Sequence, residues 1–221
     1  MKKIGIIVVS LLALVSLTAC SQTDVIAKYG VSSFSEVIGV SNVSKDEILK
    51  GWSVNAPDGS ARFIFSSDFK SSAPHDVMME TDAQPFIDAG LDVTKLPAGM
   101  YVEGKIMVGQ SLGEQEFSST VQKTAQDSFK QIVKLSRNTL GYHEALEHYG
   151  IDLGEGNKFE WAKDLSSNDK DIVFVLDPKI FISAGADVTN INGWVFAKVE
   201  VMDTNGKKVE VEKLLKPFNL K

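Results

Sequence analysis

Three histidines, His75, His143 and His148, are the first side chains to weigh for metal or acid–base chemistry. The run His143-Glu144-Ala145-Leu146-Glu147-His148 has the letters of a zinc-protease helix without its spacing. That chemistry needs two histidines four apart on one helix face, and these are five apart. On a helix, His143 with Glu147, or Glu144 with His148, makes an i,i+4 pair able to hold a metal weakly, but a solvated charged face is the simpler expectation. Pro74-His75-Asp76-Val77-Met78-Met79 offers imidazole and thioether groups of the kind copper takes. On a strand Met78 and Met79 point to opposite faces, so core packing accounts for them better. No metal is expected, and His75, His143, Glu147 and His148 are the residues to locate.

Acids at Asp68, Glu80, Asp82, Asp88 and Asp92 could serve as a carboxylate pair or as calcium ligands. No spacing matches a calcium loop, and Asp203-x-Asn205-Gly206 is too short a piece of one. Paired-carboxylate hydrolysis depends on a separation in three dimensions that spacing does not give. There is no G-x-S-x-G, no S-x-x-K, no Gly-rich phosphate loop and no dinucleotide fingerprint, so no catalytic residue is assigned. Trp52, Trp161, Trp194, Tyr101 and Phe196 could hold a peptide, glycan or haem-like plane on a sheet face or edge; most are expected in the core, and Trp194, which follows the turn-like Asn192-Gly193, is the one expected as a surface contact.

The only cysteine is Cys20. Lys2-Lys3 and the apolar run 4–17 have the build of an export signal, too short for a comfortable membrane span. The run ends in Leu17-Thr18-Ala19-Cys20, which resembles the lipobox of bacterial lipoproteins. The resemblance covers the first twenty residues alone. It implies that residues 1–19 are removed, and that Cys20 carries a diacylglycerol, with an N-acyl group as a further option. Residues 20–23 would then be a short tether, and the chain would be anchored extracytoplasmically in the cell membrane or the outer membrane. With its sulfur acylated, the mature chain has no disulfide and no thiolate.

Residues 1–19 hold two lysines and no acid, so their removal takes the formal charge from −6 to −8. No basic run occurs outside the leader, which argues against nucleic acid as a partner. With 43% hydrophobic and 24% charged residues, the rest is the composition of a folded protein with a core.

What must position any site is a repeat. Phe86-Ile87-Asp88-Ala89-Gly90-Leu91-Asp92-Val93-Thr94 recurs as Phe181-Ile182-Ser183-Ala184-Gly185-Ala186-Asp187-Val188-Thr189, identical at seven of nine positions. Upstream, Phe65-x-x-Asp68 matches Trp161-x-x-Asp164, and Glu47-Ile48-Leu49 with Trp52 matches Glu144-Ala145-Leu146 with Tyr149. This spacing predicts two tandem α+β copies, 24–115 and 116–221. Asp88, Asp92 and Asp187 belong to the repeated motif and are candidate ligand contacts, although turn formation explains Asp92 and Asp187 more simply.

In the first copy Ser33 with Glu36, and Ser44 with Glu47, fit capping boxes and predict two short helices, the second ending at Gly51. Strands are predicted at 52–55 and 62–66 around Pro57-Asp58-Gly59, at 77–80, at 101–108 and at 195–202. Asp203 to Gly206 should turn the last of these into 208–212. Short helices should end at Gly90 and Gly185, the second capped by Asp177-Pro178. Ser119 with Gln122 is another capping box, and Val121, Ala125, Phe129, Ile132 and Val133 stripe a helix over about 118–138.

The combined expectation is a lipid-anchored envelope protein acting as a non-enzymatic binding or interaction module. Its partner would be a protein, peptide or glycan, held in a groove between the copies. Extracytoplasmic metal or haem handling and cell-wall or glycan hydrolysis stand as alternatives. An apolar seam between the copies would count against the last.

Overall fold

The computed structural model describes residues 22–47, 50–67, 75–112, 124–135, 139–165, 170–203 and 205–221. Cys20 and the lipobox, Asp68, Pro74, Val121 and the Ser119–Gln122 box lie outside them, as do Ile48 and Leu49.

The first half runs α1 (Gln22–Val40), β1 (Val43–Asp46), β2 (Gly51–Asn55), β3 (Ala61–Ser66), β4 (Val77–Asp82), α2 (Gln84–Asp88), a 3-10 turn at Val93–Lys95, β5 (Tyr101–Val102) and β6 (Lys105–Gln110). The second half repeats this order: α3 (Ala125–Leu135), β7 (Leu140–His143), β8 (His148–Gly154), β9 (Asn157–Ala162), β10 (Ile172–Leu176), α4 (Lys179–Ser183), a 3-10 turn at Val188–Asn190, β11 (Val195–Met202) and β12 (Lys208–Phe218). Each half forms a six-stranded antiparallel sheet. The strand orders are β1-β2-β3-β4-β6-β5 and β7-β8-β9-β10-β12-β11, the same path in both. The fold is α+β, and two sheets of one topology fit a tandem duplication.

Alternation along the strands sends one face of each sheet inward. Phe63, Phe65, Val77 and Met79 of the first sheet, and Phe159, Trp161, Ile172 and Phe174 of the second, are all buried in one continuous core. Three pairs of equivalent phenylalanines meet across it. Phe34 and Phe129 stack at 3.7 Å, Phe63 and Phe159 at 4.1 Å and 5°, and Phe86 meets Phe181 at 4.9 Å. Around them the contacts are reciprocal. Phe34 packs edge-on to Phe65 at 5.7 Å as Phe129 does to Trp161 at 5.5 Å. Phe34 crosses to Trp161 at 5.3 Å, and Phe129 to Phe65 at 6.1 Å. Contacts that recur with the partners exchanged are the mark of a pseudo-twofold axis.

The repeated nonapeptide sits on that axis and binds its own copy. Asp92 N–H donates to Ala184 O at 2.9 Å, and Asp187 N–H to Ala89 O at 2.7 Å. Gly90 and Gly185, with φ of 96° and 97°, face each other's carbonyl oxygens. A Cβ on either would lie 3.1 or 3.2 Å from the opposite oxygen, so this site needs glycine for both φ and space.

Several local expectations change. α1 is a single helix through Ser33, whose hydroxyl donates to Ala162 O and Lys163 O of the other half at 2.9 Å instead of capping. Ser44 is in a strand and pairs with the Ser53 hydroxyl at 2.9 Å. Tertiary partners for the hydroxyls thus override a local capping pattern. Residues 101–108 are two strands rather than one, because Glu103 and Gly104, with φ of 48° and 83°, form a tight hairpin turn. The hairpins at Pro57–Gly59 and Asp203–Gly206 form as expected. Asp177 caps the Lys179 amide at 3.0 Å, and the buried stripe Ala125, Phe129, Ile132 and Val133 of α3 is present.

If the halves share one core, Phe63→Ala and Phe159→Ala should each cost about 3–5 kcal/mol. Their combined effect should fall short of the sum, since the second change has no ring left to unstack. Denaturant unfolding of the two single variants and the double variant measures this.

Candidate functional site

Between the halves the axis is filled by rings. At one rim a shallow cleft of about 780 Å³ remains, lined by His75, Met100, Met107 and Gln110 from the first half and Leu153, Glu155 and Asn157 from the second. At the pseudo-equivalent rim Trp194 and Lys216 occupy the space. Trp194 is 8% exposed, edge-on to Phe86 at 5.4 Å, with the Lys216 ammonium 6.0 Å from its ring. It is therefore buried rather than a surface aromatic, because its ring, one residue before β11, packs against Phe86 of α2.

The repeated acids have local partners. The Asp92 and Asp187 carboxylates each accept from the amide and hydroxyl two residues on, Thr94 and Thr189, and so cap the two 3-10 turns. Asp88 accepts from Gln84 at 2.7 Å on exposed α2. A repeated acid that sequence reading missed is the pair Asp76 and Asp171, both 4% exposed. Their carboxylates accept the Leu112 and Leu220 amides, pinning the chain beyond β6 and β12. The signal was present as an acid directly before each buried strand.

The histidines are placed unexpectedly. Residues 144–146 form one 3-10 turn, not a helix. That turn connects β7 to β8 and makes His143 and His148 directly opposed cross-strand partners, on one face despite their spacing of five. Glu147, with φ of 50°, is exposed and takes no part. Glu160 on β9 joins them, its carboxylate 3.9 Å from His148 Nδ1, and His148 and Glu160 are 4% and 8% exposed. The Nδ1 atoms of both His143 and His148 are buried without a hydrogen-bond partner in the structure. His75 lies apart at the rim cleft. Among the described residues no group of three or more metal-ligating side chains is assembled.

These residues belong to a groove of about 300 Å³ on the outer face of the second sheet, away from the core. Val173, Val175, Leu215 and Pro217 line it, as do Val195, Val199 and Val201 of β11. His143, His148, Glu160, Lys158, Lys170 and Lys213 add polar groups to the lining. The hairpin supplying the β11 valines spans strands of 8 and 11 residues, against 2 and 6 in the first half. The extra length is the main difference between the copies, and the groove is built with it.

Register shows what else changed. In the first sheet Arg62 is held by Asp46 at 2.7 Å and by Glu80 at 2.9 Å, and Lys105 pairs with Asp82. The equivalents of Asp46 and Glu80 are His143 and Val175. Lys158, in the place of Arg62, is paired in register with Asp152, where Arg62 is paired with Asn55. Lys213, in the place of Lys105, stands 4.0 Å from Asp177 and donates instead to Gly156 O at 3.0 Å. Burial lowers the Lys213 pKa below the ordinary lysine value; Asp177 opposes the shift, and Lys158 and Lys179 reinforce it.

No family model, curated protein or solved structure matches the chain. No helix among the described residues is long and apolar enough to cross a membrane.

The 3-10 caps carry a pH dependence whose sign is determined. Side-chain and backbone hydrogen bonds from Thr94 and Thr189 hold the Asp92 and Asp187 carboxyls below the unfolded value of 3.8. Their contribution is complete above that value and is lost as pH falls through the lower folded value. The Asp92→Asn, Asp187→Asn double variant should therefore lose less stability than the parent between about pH 5 and pH 3 in thermal unfolding.

Proposed function

We propose that the protein is a lipid-anchored, extracytoplasmic binding module of a bacterial envelope, non-enzymatic, with its ligand site in the outer groove of the second sheet. The observation that carries this reading is the divergence between the copies. One outer face is closed by an ion triad, while its twin has exchanged the acids for His143 and Val175 and gained a valine-lined hairpin. A largely apolar concavity with a few convergent polar groups is the usual build of a small-molecule site. The Nδ1 atoms of His143 and His148, buried without partners, add unused hydrogen-bonding groups to this face.

The anchor rests on the Leu17-Thr18-Ala19-Cys20 resemblance, with Cys20 as the acylated residue and the cell membrane or outer membrane as the site. Metal handling keeps one favourable observation, the registered His143 and His148 beside Glu160. Glycan hydrolysis would use buried acids in a cleft, and the apolar, ring-filled contact between the copies counts against it.

Two measurements test the reading. Cys20→Ala should move the protein from the membrane fraction to the soluble extracytoplasmic fraction. A variant that stays with the membrane contradicts the anchor. Native mass spectrometry of protein purified from its own envelope should show a small organic adduct that is absent in Val201→Glu, whose added charge lies in the groove wall. An adduct that survives Val201→Glu, or no adduct at all, contradicts the groove as the site, and zinc or copper mass lost on His148→Ala would favour metal handling instead.

A further inference from the structure

We infer that the groove takes a single-chain amphiphilic anion: a hydrocarbon tail along the valines, with a carboxylate head at Lys158 and Lys213. The inference rests on the binding-module reading and supplies its ligand class.

Charge carries the first step. The groove lining holds three lysines against one glutamate, in a chain whose formal charge is −6. A local positive excess on an acidic protein marks the place where an anion is least repelled. The position of that excess is specific. Lys158 and Lys213 occupy the register positions at which the first sheet has Arg62 and Lys105, each closed by acids. In the second sheet His143 and Val175 replace the two acids that hold Arg62, Asp152 stands opposite Lys158 in register with its carboxylate accepting from the Gly154 amide, and Lys213 reaches only a carbonyl at hydrogen-bond distance. An external carboxylate between the two ammonium groups would restore the neutralisation that the first copy carries internally. Asp177, at 4.0 Å from Lys213, is the competing acid for the head.

Shape carries the second step. Away from His143, His148, Glu160 and the lysines the lining is branched aliphatic, with Val173, Val175, Val199, Val201 and Leu215 as its main surfaces. An aliphatic chain laid on these valines removes apolar surface from water with each methylene it buries. The volume of about 300 Å³ suits one short chain and is too small for a two-chain lipid. Glu160 stands with His143 and His148 in the lining and would repel a carboxylate placed beside it, so the head belongs at the two lysines.

The test uses the chain from residue 20 onward with Cys20→Ala, which keeps every described residue. Dodecanoate, dodecanol and acetate are titrated calorimetrically below their aggregation limits. Dodecanoate should bind at one site, dodecanol about tenfold or more weakly, and acetate without detectable heat. Lys158→Met with Lys213→Met should bring dodecanoate to the level of dodecanol and leave dodecanol unchanged, while Lys130→Met on α3 should change neither. Circular dichroism confirms that the variants fold. Equal binding of dodecanoate and dodecanol to the parent, or dodecanoate affinity unaffected by the lysine changes, overturns the anionic class while leaving an apolar binding site. No binding of either chain, or binding untouched by Val201→Glu, overturns the groove reading as well.

Discussion

The stacking of each copy's phenylalanines on their own counterparts is the constraint from which the remaining structure follows. Phe34 on Phe129, Phe63 on Phe159 and Phe86 on Phe181 place three self-pairs along one axis. A sheet with such a face cannot leave it in water, because each ring carries a large apolar area. Two copies of one sequence solve the problem reciprocally: whatever face one must bury, the other offers. The motif with seven identities in nine is the part that touches itself most closely, through Gly90 and Gly185 and the paired amides of Asp92 and Asp187. A change there must suit both copies, which gives a physical reason for its likeness.

With the inner faces committed to the core, variation is left to the outer ones. The first sheet closes its outer face with Arg62, Asp46 and Glu80. The second substitutes a histidine and a valine for the acids and lengthens its last hairpin, so that β11 contributes valines to a groove. One copy closes its outer face with ion pairs and the other leaves a groove on its own. Duplication separates the two demands, since a groove opened on one sheet costs nothing in the shared interior.

Much of the architecture was legible because it depends on local chemistry or on self-comparison. The hairpin at Pro57-Asp58-Gly59, the turn at Asp203–Gly206, the glycine ends at Gly90 and Gly185 and the stripe of α3 are set within a few residues. What was not legible depends on partners far along the chain. Ser33 and Ser44 fit capping boxes, yet one donates to the opposite half and the other pairs across a strand. His143 and His148 are badly spaced for a helix and well placed for a strand pair, and the choice turns on a single 3-10 turn between them. Trp194 sits beside a turn, as expected, but its ring packs against Phe86 with Lys216 over it rather than facing solvent. The groove itself was invisible, because it arises from register differences between two sheets that must first be aligned in space.

Native-state hydrogen exchange addresses the shared interior most directly. Amides of β3 and β4 in the first sheet, and of β9 and β10 in the second, should open only with the whole molecule. Their slowest exchange should then report one common free energy that falls in both sheets when Phe159 alone is shortened to alanine. Two distinct plateaus, with the first sheet indifferent to Phe159, would mean that the halves are separate folding units and that the self-paired rings do not bind them into one.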